Sequence, residues 1–129
     1  MGHFVSSVHK ERFINMIIED DMSLRDSERA SLFYIITGND DLYSKRRFIY
    51  DFKEHCIHTC LNDNEADVDF SSSMRSLVKL GFNLYNGWSD KYTTPIYLLG
   101  SLDTNNLFLA GNAIMIRFNT NLLQKIVQY

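Results

Sequence analysis

Proline occurs once and glycine six times in the 129 residues, so little interrupts the backbone and long helical segments are favoured. Cysteine occurs twice, too rarely for a disulfide scaffold. None is needed, because a single domain of this length buries roughly two-thirds of the surface its unfolded chain exposes. Positive charge is in deficit: thirteen Lys and Arg face sixteen Asp and Glu, a net charge of −3, which excludes a global field that draws in nucleic acid. No run of about 18 apolar residues exists, so no membrane span is expected. The opening MGHFVSSVHKERF lacks a basic stretch leading into an apolar one, and the expected location is the cytoplasm, where both thiols stay reduced. A glycine-rich phosphate loop, a G-x-S-x-G elbow and an H-E-x-x-H pair are all missing. A non-enzymatic protein without a cofactor is the preferred reading.

What is present is an ordinary globular composition, 45% hydrophobic and 13% aromatic, without the low-hydrophobicity signature of a disordered chain. The pattern predicts an all-α fold, a single domain over residues 1–129 with about five to six helices around a central one at 71–87. In that central stretch Met74, Leu77, Val78, Gly81, Leu84, Tyr85 and Trp88 recur at helical spacing, with Ser76, Lys79, Asn83 and Asn86 opposite. The serines at 71–73 supply a cap and Gly87 a left-handed stop. Gly81, in the middle of the apolar stripe, points to a close approach by another helix, since glycine there costs about 1 kcal/mol of propensity.

Before it, Ser6 or Ser7 caps a helix ending at Glu19, with Phe13, Met16 and Ile17 inward. Asp26 or Ser27 caps a second, SERASLFYIIT, which ends at Gly38 and is apolar on nearly every side, hence deeply buried. A third, DLYSKRRFIYDFKEHC from 41 to 56, has Asp40 as cap and an inner stripe of Leu42, Phe48, Ile49 and Phe52. After Cys60, residues 61–70 form an acidic loop. Its Asp63, Glu65, Asp67 and Asp69 alternate like calcium ligands, but Val68 and Met74 stand where that loop needs glycine and glutamate. Later, Thr94 and Pro95 start one helical turn. Asp103 opens TNNLFLAGNAIMIRF, where Leu107, Ala110, Gly111, Ile114 and Phe118 share a face; Gly111-Asn112 also spells a small hairpin within 107–118. Helix is the preferred reading there. The tail 119–129 is amphipathic and either packs back on the body or makes a homo-oligomer contact.

Lys45, Arg46 and Arg47 are the one dense basic cluster. On a helix they spread over about 200° of arc, and three cations release too few counterions to hold nucleic acid at physiological salt. A solvated face with an Arg47–Asp51 pair is the simpler reading, and an acidic partner the functional one. Tyr85, Trp88 and Tyr92 are the aromatic candidates for a protein partner. His55, Cys56, His58 and Cys60 gather ligands that suit zinc, yet on a helix the cysteines share one face and the histidines another, so completion would need His3, His9 or a second subunit. The alternative to a zinc site is a helix end with buried thiols and a histidine near the C-terminal dipole. An acid–base pair of Asp40 with His55 can be drawn but not argued from spacing.

The segments HKERF (9–13), ERASLFYIITGNDDLY (28–43), IYDF (49–52), LGFNLYNG (80–87), SLD (101–103) and AIMIRF (113–118) resemble a domain-of-unknown-function family of small proteins from Gram-positive bacteria and their phages. The resemblance implies a bacterial or phage cytoplasmic setting and brings no catalytic residues. Two functions compete. One is a small protein that binds a host or partner protein, such as a phage-encoded inhibitor of a bacterial defence system. The other is a metal-dependent enzyme or small-ligand-binding protein using His55, Cys56, His58 and Cys60.

Overall fold

The computed structural model describes residues 2–58 and 69–127. Its elements run α1 (Ser7–Glu19), α2 (Ser27–Thr37), α3 (Asp40–Ser44), α4 (Arg46–Ile49), β1 (Tyr50–Asp51), β2 (Cys56–Ile57), α5 (Ser72–Asn86), α6 (Pro95–Leu99), α7 (Thr104–Phe118) and α8 (Thr120–Ile126). The fold is mainly α, as the composition and periodicity predict. Among the described residues no helix is long and apolar enough to cross a membrane. The acidic loop with Asp63, Glu65 and Asp67 lies outside the described residues, as does Cys60.

Six helices start on a side-chain cap: Ser6, Asp26, Asn39, Ser71, Asp103 and Asn119 each accept a hydrogen bond from the backbone N–H three residues on. Each cap satisfies one of the four orphan amides of a helix start. Thr94 holds the cap position of α6 without a side-chain bond; Pro95 behind it has no amide to orphan. At the far end of α5, Gly87 adopts φ 81°, the left-handed stop predicted there.

The deepest helix is α2, where Ala30 to Thr37 are buried on every side. A helix apolar all round has no face to give to water. Within that span two hydroxyls are satisfied by the helix itself: Ser31 Oγ donates to Glu28 O at 2.8 Å and Thr37 Oγ1 to Phe33 O at 2.7 Å. Around it pack α1, α3, α5, α7 and α8. α5 buries Leu77, Val78, Leu80, Gly81, Phe82 and Leu84. A Cβ on Gly81 would stand 2.8 Å from Leu32 Cδ1 of α2, so the expected close approach is there. The tail folds back: Leu122, Leu123 and Ile126 of α8 are buried, and its apolar side serves the monomer.

One predicted element does not form. The segment 41–56 is not one helix. The chain turns at Lys45, α4 ends at Ile49, and Tyr50↔Ile57 and Asp51↔Cys56 pair as an antiparallel hairpin. The physical reason is local. Asp51 Oδ1 accepts from the backbone N–H of Lys53 at 2.9 Å and of Glu54 at 3.0 Å, a turn that competes with the helix for those amides. His55 closes the turn at φ 56°, a region where histidine is enriched among non-glycine residues. The preferred helical reading holds at Gly111-Asn112, and the hairpin alternative does not form, since the pair lies inside α7. There Asn112 Nδ2 donates to Phe108 O at 2.9 Å, a contact of the helix interior.

Candidate functional sites

Asp20 ends α1 with its side chain fully buried. A buried carboxylate needs partners, and three elements supply them. Oδ2 accepts from Tyr50 Oη at 3.0 Å and from Arg29 Nη1 at 3.1 Å, while Oδ1 meets His55 Nδ1 at 2.7 Å. Burial and the hydrogen bond to Asp20 push the Tyr50 phenol well above its ordinary pKa, which keeps it a donor. Burial alone would lower the Arg29 pKa, but the neighbouring Tyr50, a hydrogen bond with Tyr85 and the carboxylates of Asp26 and Asp20 raise it overall. Among the described residues the two non-glycine residues with positive φ, Asp21 at 52° and His55 at 56°, lie beside and within this centre, where such strain is held in place by the surrounding bonds.

Tyr85 Oη donates to His55 O at 3.3 Å, and a cleft of about 520 Å³ opens between Arg29, Cys56, Ile57, Tyr85 and Asn86, with Asp26 and Glu28 at its edge. Half the His55 side chain is exposed. An imidazole tied at Nδ1 to a carboxylate retains Nε2 as its acid–base atom. Asp20, Tyr50 and Arg29 were invisible to spacing arguments, because they lie 35, 5 and 26 residues from His55 and no motif joins them.

A second cleft, about 560 Å³, is lined by His9, Arg12, Gly38, Asn39, Asp40, Asp103 and Asn106 among others. Arg12 Nη1 bonds Asp40 Oδ1 at 2.7 Å and Asn39 Nδ2 bonds Asn106 Oδ1 at 3.2 Å. Asp40 therefore pairs with Arg12, not with His55. His9 is buried, accepts from Val5 N–H at Nδ1 (3.1 Å) and so donates from Nε2 to Tyr34 O (3.0 Å). Burial, against the hydrogen bond to Tyr34 and aided by nearby Arg12, lowers its pKa to about 4. It is a neutral strut at neutral pH.

The basic cluster is dispersed. Lys45 Nζ donates to Asp69 O and lies over the Phe70 ring; Arg46 Nη1 donates to Tyr43 O at 2.9 Å; Arg47 pairs with Glu19 at 2.8 Å rather than with Asp51. Asp51 is engaged by its own turn. Trp88 packs edge-on against Phe82 at 5.9 Å and, like Tyr85, is partly buried on the core. Tyr92 is exposed and meets Tyr97 edge-on at 5.2 Å. The zinc cluster does not assemble among the described residues, where no three His, Cys, Asp or Glu side chains converge. His55 is turned to Asp20, His58 Nε2 stands 4.0 Å from Asp51, and Cys56 is exposed on β2 instead of buried at a helix end.

The stripe expected to bury α7 faces the other way. Leu109, Ala110, Ala113 and Ile116 are the buried residues, whereas Leu107, Phe108, Gly111, Met115 and Phe118 are exposed and Ile114 is half-buried. Of the predicted face only Ala110 is buried. A helix apolar on two sides has a periodicity that names both and orders neither.

A family model described as a family of unknown function, DUF6075, matches residues 1–129. The chain belongs to that family. No curated protein and no solved structure matches it. In the DUF6075 chain the Asp20 centre and the outer face of α7 are two features that core packing leaves unexplained.

Proposed function

We propose that this DUF6075 protein acts by binding another protein surface rather than by catalysis, and that its contact is the outer face of α7. One observation carries the reading. Leu107, Phe108, Met115 and Phe118 are 47%, 38%, 53% and 74% exposed along a single helix, and contiguous apolar surface of that kind marks interaction sites. The only charge on α7 is Arg117, which is turned away, its Nε donating to Leu84 O at 2.7 Å. Of the aromatic candidates of the sequence, Tyr85 and Trp88 lean on the core and Tyr92 stays exposed.

The narrowest form of this proposal is a phage-borne inhibitor that binds a host defence protein. Its motivation is size and the absence of a catalytic signature. The test is a photo-cross-linking residue at position 115 in the full chain, together with the double variant L107E/M115E. A bound protein joined through position 115 and lost in the double variant is the expected result; retention of that protein by L107E/M115E overturns the assignment of the face.

The second reading, a small-ligand site, is favoured by the 2.7 Å contact of His55 Nδ1 with buried Asp20 beside an exposed thiol. A fragment screen by NMR decides it. Shifts confined to Arg29, Cys56 and Tyr85 and lost in H55A support a ligand there, and a silent cleft removes it.

A further inference from the structure

We infer that the occupant of the α7 face is a second copy of this chain, paired antiparallel about a two-fold axis at Gly111. The inference rests on the reading of α7 as a contact surface and names its partner. Thr104, Leu107, Gly111, Ile114 and Phe118 follow one another in steps of three and four residues, the spacing of a helix–helix seam. The stripe is also symmetric about its centre. Leu107 and Met115 stand four residues to either side of Gly111, Phe108 and Ile114 three, and Thr104 and Phe118 seven. A two-fold axis through Gly111 sets residue 111 − k of one helix against residue 111 + k of the other. Leu107 then meets Met115 of the second copy, Phe108 meets Ile114, and Phe118 covers the Thr104 methyl. An isologous contact requires this self-complementarity; a foreign partner does not.

Gly111 fits the role of the crossing point. A Cβ placed there meets nothing within 4 Å, so no neighbour inside the monomer explains a glycine that costs helix stability. Between Leu107, Phe108 and Met115 it leaves a notch into which a second backbone can settle. Charge agrees as well. Each copy carries −3 and copies repel on average, but α7 contributes only Arg117, which is held on Leu84 and lies toward Glu28 at 3.9 Å. No like charges meet across the seam.

Half-exposed side chains of this number cover on the order of 800 Å² over both copies, below the roughly 1,200 Å² of a standard interface and in the range of weak, transient association. The expected dimer is therefore weak and reversible, with charged substitutions in the seam abolishing it.

The test uses the full chain with C56S and C60S, so that only introduced thiols react. G111C places a thiol in open space at the two-fold axis, and mild oxidation should convert most of the protein to a disulfide dimer. T104C, which faces Phe118 and not its own counterpart, should stay monomeric under the same conditions. Sedimentation equilibrium of the unsubstituted chain should show a monomer–dimer balance that M115E shifts to monomer by at least tenfold in dissociation constant. Circular dichroism confirms that the variants fold. A chain that stays monomeric at high concentration with no G111C dimer overturns the inference, and so does equal cross-linking by T104C and G111C, which signals collision or another register. Failure here with L107E/M115E still losing a foreign partner leaves the proposed binding function standing and removes only the self-pairing.

Discussion

α5 and α7 are both 15 residues long, both start on a side-chain cap, and both carry a glycine within an apolar stripe. Their fates are opposite. The stripe of α5 is backed by polar residues, so one orientation alone keeps Ser76 and Asn83 out of the core, and Gly81 ends up against Leu32. α7 has apolar residues on two sides and its orientation is set by what α2 can accommodate. The buried side sets the small Ala110 and Ala113 between Leu109 and Ile116, whereas the side with Leu107, Phe108, Met115 and Phe118 is left outside. Amphipathicity specifies a direction only when the second face is polar; without that, size complementarity at the helix contact decides.

The comparison is sharpest for matched leucines. Leu77 of α5 is wholly buried and Leu107 of α7 is half exposed. L77A should cost 2–5 kcal/mol by cavity formation, and L107A, measured at concentrations where the chain is monomeric, about 0.5 kcal/mol or less. Urea unfolding followed by circular dichroism measures both. Comparable losses at the two sites would mean that α7 is not oriented as described.

Acid should distinguish the two helices next. The buried side of α5 contains no ionisable residue. The buried side of α7 rests at Gly38, where a Cβ would overlap Leu109 Cδ1 and come within 3.0 Å of the His9 ring. Folded His9 takes its proton near pH 4 and the unfolded residue near 6.5. Between those values the unfolded chain binds the extra proton, so the stability from neutral His9 is complete above pH 6.5, falls as pH falls, and is gone below about 4. The gap corresponds to about 3 kcal/mol, of which about 2 kcal/mol is lost between pH 7 and 5. Unfolding midpoints should drop accordingly in that window, amide protection should weaken at Leu109 and Ala110 before it does along α5, and H9Q should show little of this slope.

Which parts of this were legible follows from where the deciding partners lie. Ser71, Gly87, Asp103 and Asn119 act within a few residues of the helix ends they define, so caps and stops can be read directly. The register of α5 is legible for the same reason. The break after Ser44 is not, because SKRRFIYDF holds no glycine or proline, and the helix is lost to a turn centred on Asp51 and to the burial of Tyr50 against Phe33 at 4.9 Å. Tyr50 becomes a buried anchor only through Asp20, 30 residues away. Lys45, Arg46 and Arg47 form a cluster along the chain but not in space, since each finds a partner on a different element. The inward and outward sides of α7 stay ambiguous in sequence because apolar character is shared between them.

The two glycines give the smallest effect and the cleanest contrast. Replacing a helix-interior glycine by alanine gains about 1 kcal/mol from backbone entropy where the new methyl group meets nothing. At Gly111 nothing stands in the way, so G111A in dilute solution should stabilise the monomer by about that amount, a rise of roughly 3–5 °C in Tm for a chain of this length. At Gly81 the methyl group arrives 2.8 Å from Leu32 Cδ1. Leu32 is itself fully buried, and shifting its end displaces neighbours in a packed interior. G81A should therefore forfeit the entropic gain and melt no higher than the parent, and G81V should melt lower by the 1–3 kcal/mol typical of overpacking. The two alanine variants differ only in what surrounds the added carbon. Equal melting temperatures for G81A and G111A would mean that α5 and α7 are packed alike, and the contrast between a buried and a presented helix would then be lost.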